Sequence, residues 1–201
     1  LKEKTEEAIK TLESIIDTTK SNVAYTKLTK IYLKINDYEK AIKTIDDAII
    51  HHPNINDLKF TRGMIHLLKG EYDEGWNLYE FRDSIIKDGS FESIKKWQGE
   101  NIKNSNILVT CEQGMGDVLQ FSKFLLNLSP LCKKIDFLIY DKLLPIFNKK
   151  VKNINVCEKS EISENSYDYK ISLGSLNKYF YKNKKFYSFD LVNFNEDKKK
   201  K

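Results

Sequence analysis

A chain of 201 residues, 40% hydrophobic and 31% charged, has the composition of a globular protein and room for one large domain or two small ones, each with its own core. Its net charge of +5 is nearly accounted for by Lys198, Lys199, Lys200 and Lys201, which excludes a broad nucleic-acid-binding face as the source of the basic balance. Three isolated cysteines, Cys111, Cys132 and Cys157, suggest neither a disulfide framework nor a paired-cysteine metal site and fit a reducing cytoplasm; no apolar run approaches a membrane helix, and no signal peptide is visible. Leu1 stands where a Met would begin a chain, which points to a start inside a longer protein.

Residues 1–88 hold one proline and no convincing strand, and their apolar residues recur at helical spacing. Tyr25, Leu28, Tyr32, Tyr38, Ala41, Ile45, Ala48 and Pro53 stand at the offsets of a tetratricopeptide repeat. Small Ala41 and Ala48 let two helices approach, and Pro53 ends the second. Gly63, Gly70, Tyr72, Gly75, Tyr79 and Arg82 form a further copy, with Gly75 lying 34 residues after Ala41. Ala8, Leu12 and Ile15 resemble the second helix of an earlier copy, which makes about two and a half repeats. Such an array can dock a protein partner or act as a spacer. His51 and His52 at a helix end read as dipole-complementing caps, and His66 as a packed imidazole, with no second ligand at metal-binding spacing.

Residues 89–105 form a junction. Trp76, Tyr79 and Phe81 on the preceding helix, together with Trp97 of Trp97-Gln98-Gly99-Glu100, are expected to seal the repeats onto the next domain. From 106 to 201 strands alternate with helical segments: strands at 107–111, 135–140, 153–157 and 167–173, a helix from Asp117 to near Pro130, and a short helix over 142–150. That order predicts a parallel sheet covered on both faces, so that the whole chain is α followed by α/β. Beyond Leu176, Tyr179, Phe180, Tyr181, Phe186, Tyr187 and Phe189 lie among lysines, where rings packing on their own domain are preferred to bound single-stranded nucleic acid.

The candidate site is the turn Glu112-Gln113-Gly114-Met115-Gly116-Asp117, which leaves the first strand of the α/β part. Ligands dock at that edge of a parallel sheet. A dinucleotide fingerprint would need a third glycine where Leu119 stands, and the carboxylates Glu112 and Asp117 would repel a pyrophosphate. The expected ligand is neutral and hydroxyl-rich, or a proton acceptor, rather than NAD. Gly114 and Gly116 are expected to supply positive φ and close approach. Asp117 either caps the helix it begins or acts on a substrate; Glu112 and Gln113 either bond sugar hydroxyls or tie the loop together.

The repeats, then Gly75-Trp76 with Tyr79-Glu80-Phe81-Arg82, then Trp97-Gln98-Gly99-Glu100, then Glu112 to Asp117 with Gln120-Phe121, resemble bacterial tetratricopeptide-repeat proteins carrying a glycosyltransferase-like domain, related in pattern to heptosyltransferases and more distantly to O-linked N-acetylglucosamine transferases. The likeness covers roughly residues 22–176. It implies a GT-B architecture in which this chain supplies the Rossmann-like, acceptor-holding half, and a nucleotide sugar is the donor in the complete protein. No cofactor is implied. Asp117 matches a general base for the acceptor hydroxyl, with Glu112, Gln113, Gly114, Gly116 and Gln120 as substrate contacts. By this likeness the chain alone is expected to be incomplete, and a non-catalytic repeat module that binds a protein is the alternative.

Overall fold

The computed structural model describes residues 2–84, 91–147, 151 and 153–182, which fall into two compact units, Leu1–Lys87 and Asp88–Lys201. The first is helical: α1 (Lys2–Thr19), α2 (Asn22–Lys34), α3 (Tyr38–His51), α4 (Asn56–Leu68) and α5 (Tyr72–Tyr79), followed by a 3-10 turn, Glu80–Ser84. Each helix packs on the next. Ser21 caps α2 by accepting from the N–H of Ala24, and Asp37 caps α3 by accepting from the N–H of Lys40 at 3.1 Å. Gly70, at φ +80°, takes the left-handed turn between α4 and α5.

The core of this unit follows the periodicity. Ala41, Ile45 and Ala48 of α3 are fully buried and meet Tyr25, Leu28 and Tyr32 of α2, which are 3–5% exposed. His66 is buried, and its Nδ1 lies 2.5 Å from Oε2 of Glu71. His52 Nε2 lies 2.6 Å from the carbonyl of Lys20, while the ring of His51 stacks on Tyr25. The aromatic residues of the last helix pack within their own unit: Trp76 meets Tyr79 edge-on at 5.1 Å, Tyr79 meets Phe60 of α4 at 5.5 Å, and Arg82 lies over the Tyr79 ring.

The second unit is α/β. Its strands β1 (Asn106–Thr110), β2 (Lys134–Leu138), β3 (Ile154–Cys157) and β4 (Tyr169–Ser172) form one sheet in the order β3-β2-β1-β4, every pairing parallel. One face presents Ile107, Val109, Ile135, Phe137 and Ile171, none more than 1% exposed. The other carries Leu108, covered by Phe91 and Ile94. It also buries Asp136, whose charge is met by Lys134 at 2.8 Å, Asn155 at 3.0 Å and the Tyr167 hydroxyl at 2.9 Å. The Tyr167 hydroxyl is held well above its ordinary pKa by burial and by its hydrogen bond to Asp136.

Several boundaries differ from the sequence expectation. The strands end one or two residues earlier, at Thr110, Leu138 and Ser172, because the parallel ladder ends there even though the apolar run continues. The expected helix from Asp117 begins at Met115 and breaks at Phe121 into a 3-10 turn, Ser122–Phe124, before α7 (Leu125–Leu128) and another turn, Ser129–Leu131. The expected helix over 142–150 is a single 3-10 turn, Asp141–Leu143, with 148–150 outside the described residues.

Candidate functional site

Because every strand runs the same way, the loops that leave all four gather on one edge of the sheet. The order β3-β2-β1-β4 places the reversal of winding between β1 and β4, where open α/β sheets leave a crevice. Here that crevice is bridged. Glu112, just past β1, turns its Oε1 to the backbone N–H of Gly174, just past β4, at 3.2 Å. The carboxylate thus meets a backbone donor on the neighbouring loop.

The open space lies on the other side of β1. A cavity of about 800 Å³ is lined by Cys111, Gln113, Gly114 and Met115 from the β1 loop, residues 138–142 after β2, and Lys159 after β3. Tyr140 ties the two main walls together by donating its hydroxyl hydrogen to the Gln113 carbonyl at 2.6 Å. Leu138, Ile139, Met115 and Cys111 give the cavity an apolar lining, and Asp141, Lys142 and Lys159 are its charged groups. Neither Glu112 nor Asp117 is among the residues that line this cavity, whose charge balance is one acid against two lysines.

Asp117 is not the N-cap. Gly114 takes that place in extended geometry, φ −62° and ψ 159°, and Asp117 is the third residue of α6 (Met115–Phe121), its N–H donating to the Gly114 carbonyl at 3.0 Å. A carboxylate in the first helical turn is favoured by the exposed N–H groups there. Its Oδ2 lies 3.5 Å from where a methyl group on Gly114 would stand, so Asp117 sits beside a residue of the cavity wall. Gln120 is exposed further along the helix.

The expectation of positive φ at Gly114 and Gly116 is also corrected, since the described glycines with positive φ are Gly70 and Gly99. A side chain at Gly116 would meet nothing within 4 Å, and one at Gly114 would meet only the Asp117 carboxylate. The fold does not demand glycine at either place. Gly114 leaves the backbone bare on the cavity wall, and Gly116 leaves it bare on the first turn of the helix that follows.

The Trp97-Gln98-Gly99-Glu100 stretch has its own structural account. Lys96 bridges Lys170 of β4 in parallel, so this segment extends the sheet edge. The Glu100 side chain accepts from the N–H of Gln98 at 2.7 Å, the Trp97 indole N–H donates to the Glu100 carbonyl at 2.9 Å, and Gly99 has φ +102°. The Trp97 ring is buried against Tyr179 and Phe180 of α8 (Leu176–Phe180). Trp97 is thus interior to the α/β unit, a correction to its expected place in a seam. Phe186, Tyr187 and Phe189 lie outside the described residues.

Sequence reasoning missed Tyr140, Asp141, Lys142 and Lys159. Their signal was positional: each follows the end of a parallel strand, the edge at which such sheets bind ligands. Cys111, though on the cavity wall, is no ready nucleophile, because burial and then the neighbouring Glu112 push its thiol pKa up. Among the described residues no three His, Cys, Asp or Glu side chains are grouped to hold a metal ion, and no helix is long and apolar enough to cross a membrane.

No family model matches the chain. It is similar to protein FlbA of Caulobacter vibrioides, 27% identical over 133 residues, an alignment that covers 62% of this chain and 22% of that protein.

Proposed function

We propose that the α/β unit is the acceptor-holding half of a sugar-transferring cleft of the GT-B type, and that the helical unit is a tetratricopeptide-type docking array. The observation that carries the reading is the cavity at the carboxyl edge of the parallel sheet, walled on one side by Gln113-Gly114-Met115 of the motif that suggested it. The apolar lining would hold the face of a sugar ring or its aglycone, and the bare backbone at Gly114 and Gly116 would let a hydroxyl-bearing ligand come close.

In this reading Asp117 takes the proton from an acceptor hydroxyl as its oxygen attacks the anomeric carbon of a nucleotide sugar, and the nucleoside diphosphate leaves with the electron pair of the broken bond. Glu112 acts as a positioning residue that locks the β1 loop to the β4 loop. Gln113 and Gln120 are candidate sugar contacts. The chain spans 22% of the length of the Caulobacter relative, so the activity of any longer parent is part of the proposal.

The test is sugar transfer from radiolabelled nucleotide sugars by the longer parent and its Asp117→Ala variant. Loss of transfer by about a hundredfold or more, with unchanged thermal melting, is the expected result for a general base. Unchanged transfer would remove Asp117 from the mechanism. The second reading, a non-catalytic docking module, is favoured by the helical unit taking up nearly half the described chain, and it predicts cellular function that survives Asp117→Ala.

A further inference from the structure

A second cavity, of about 620 Å³, lies within the helical unit, between α1 and α3 with α2 as its floor. Its wall carries Glu6, Glu13 and Asp17 from α1 and Asp47 from α3 against Lys40 and Lys43, four acids to two bases. Part of this charge is already used. Lys40 pairs with Asp37 at 3.3 Å and lies over the Tyr32 ring, and the Tyr32 hydroxyl donates to Oε1 of Glu13 at 3.1 Å.

Tyr25 differs from Tyr32. It is 3% exposed, forms part of the cavity lining, and stacks its ring on His51. Among the described residues its hydroxyl makes no hydrogen bond, yet the oxygen is not sealed from solvent. The charges acting on that hydroxyl are Asp47 and Asp17, one from each wall; burial first, then these two, raise its pKa. A hydroxyl oxygen open to the cavity can accept a hydrogen bond from whatever occupies it.

We propose that this acid-walled cavity is a docking pocket for a protein partner that inserts a lysine or arginine side chain between α1 and α3, its cationic head held by Asp17 and Asp47 while the Tyr25 hydroxyl oxygen accepts one of its N–H groups. The chemistry excludes the obvious competitors. An anionic side chain would meet an excess of two carboxylates, counted as four acids less two lysines, and the carboxylates are not gathered closely enough to chelate a metal ion. An ammonium or guanidinium head matches both the charge and the acceptors offered by Asp17, Asp47 and the Tyr25 hydroxyl, and the tyrosine-floored wall adds a ring surface for its stem. The inference rests on the docking-array reading of the helical unit and is independent of the sugar-transfer reading, since it uses only helical-unit residues.

The test titrates the 201-residue chain, 15N-labelled, with a capped Ala-Leu-Arg-Ala-Leu-Arg amide peptide and with its Arg→Gln analogue. Saturable shifts confined to α1, the start of α2 and α3 are expected for the arginine peptide alone. The Asp17→Asn/Asp47→Asn double variant, whose altered side chains are exposed, should weaken binding at least about tenfold. Tyr25→Phe should weaken it several-fold. Glu3→Gln/Glu7→Gln, which removes the same charge from exposed positions of α1 outside the cavity, should leave affinity unchanged. Equal loss in both double variants, equal binding of the glutamine peptide, or no saturation up to about 1 mM overturns the proposal. Circular dichroism confirms that each variant remains folded.

Discussion

At the scale of single residues, glycines separate positions the fold requires from positions it leaves open. A Cβ on Gly63 would stand 2.7 Å from Cβ of Leu78, and one on Gly75 would stand 2.7 Å from Cγ of Leu67, so α4 and α5 touch through these two residues. Gly63→Ala and Gly75→Ala should each destabilise the helical unit by about 1–3 kcal/mol in urea unfolding, the cost of forcing a methyl into a filled contact. Gly116 is the opposite case: it lies within α6 with open space around it, and Gly116→Ala should be neutral or stabilising by up to about 1 kcal/mol. A marked loss of stability in Gly116→Ala would mean that the glycine is there for the fold rather than for a ligand. Glu112 shows what the sequence could not tell. It reads as a second acid facing a ligand, but its partner is a backbone N–H contributed 62 positions later, a distance in sequence that no local pattern encodes.

Elements show the same division. Helices of the first unit were legible because a 3.6-residue period of buried positions runs from Tyr25 through Ala48 and needs no distant partner to be visible. Shorter elements were legible in kind but not in extent: β1 and β4 stop where their ladder stops, and α6 gives way to 3-10 turns before α7. The sequence places Trp97 in a seam between the units, yet its indole N–H bonds to Glu100 and its backbone N–H to Lys170, both within the α/β unit. The turn at 97–100 carries a pH dependence. The N–H of Gln98 first, and the Lys95 ammonium at 2.9 Å next, hold the Glu100 carboxyl down at about 2 from an ordinary 4.5. A folded-state pKa below the unfolded one stabilises the folded chain above about pH 4.5, and that contribution is lost as pH falls toward about 2. Urea unfolding followed from pH 6 to pH 2 should show this slope in the native chain and a shallower one in Glu100→Gln. Equal slopes would mean that the carboxylate contributes nothing to holding the turn.

For the whole molecule, the described residues contain one parallel sheet with a cavity at its carboxyl edge, whereas a two-domain transfer site needs a second wall to hold the nucleotide sugar. The 201-residue chain incubated with nucleotide sugars should therefore show neither transfer nor hydrolysis; robust turnover, measured as nucleoside diphosphate released, would refute the division of labour proposed here. The sequence alone determined that a helical array precedes an α/β unit with parallel strands, and that the loop after the first strand of that unit lies at the carboxyl edge of its sheet, because hydrophobic period and strand-helix alternation are properties of neighbours along the chain. The tertiary structure alone decided which side of β1 is open, that Glu112 closes the other side, that Trp97 is interior to its own unit, and that Tyr25 lines a cavity walled by Asp17 and Asp47. Each of these depends on residues far apart in the chain meeting in space, and a cavity is set by what fails to meet as much as by what does.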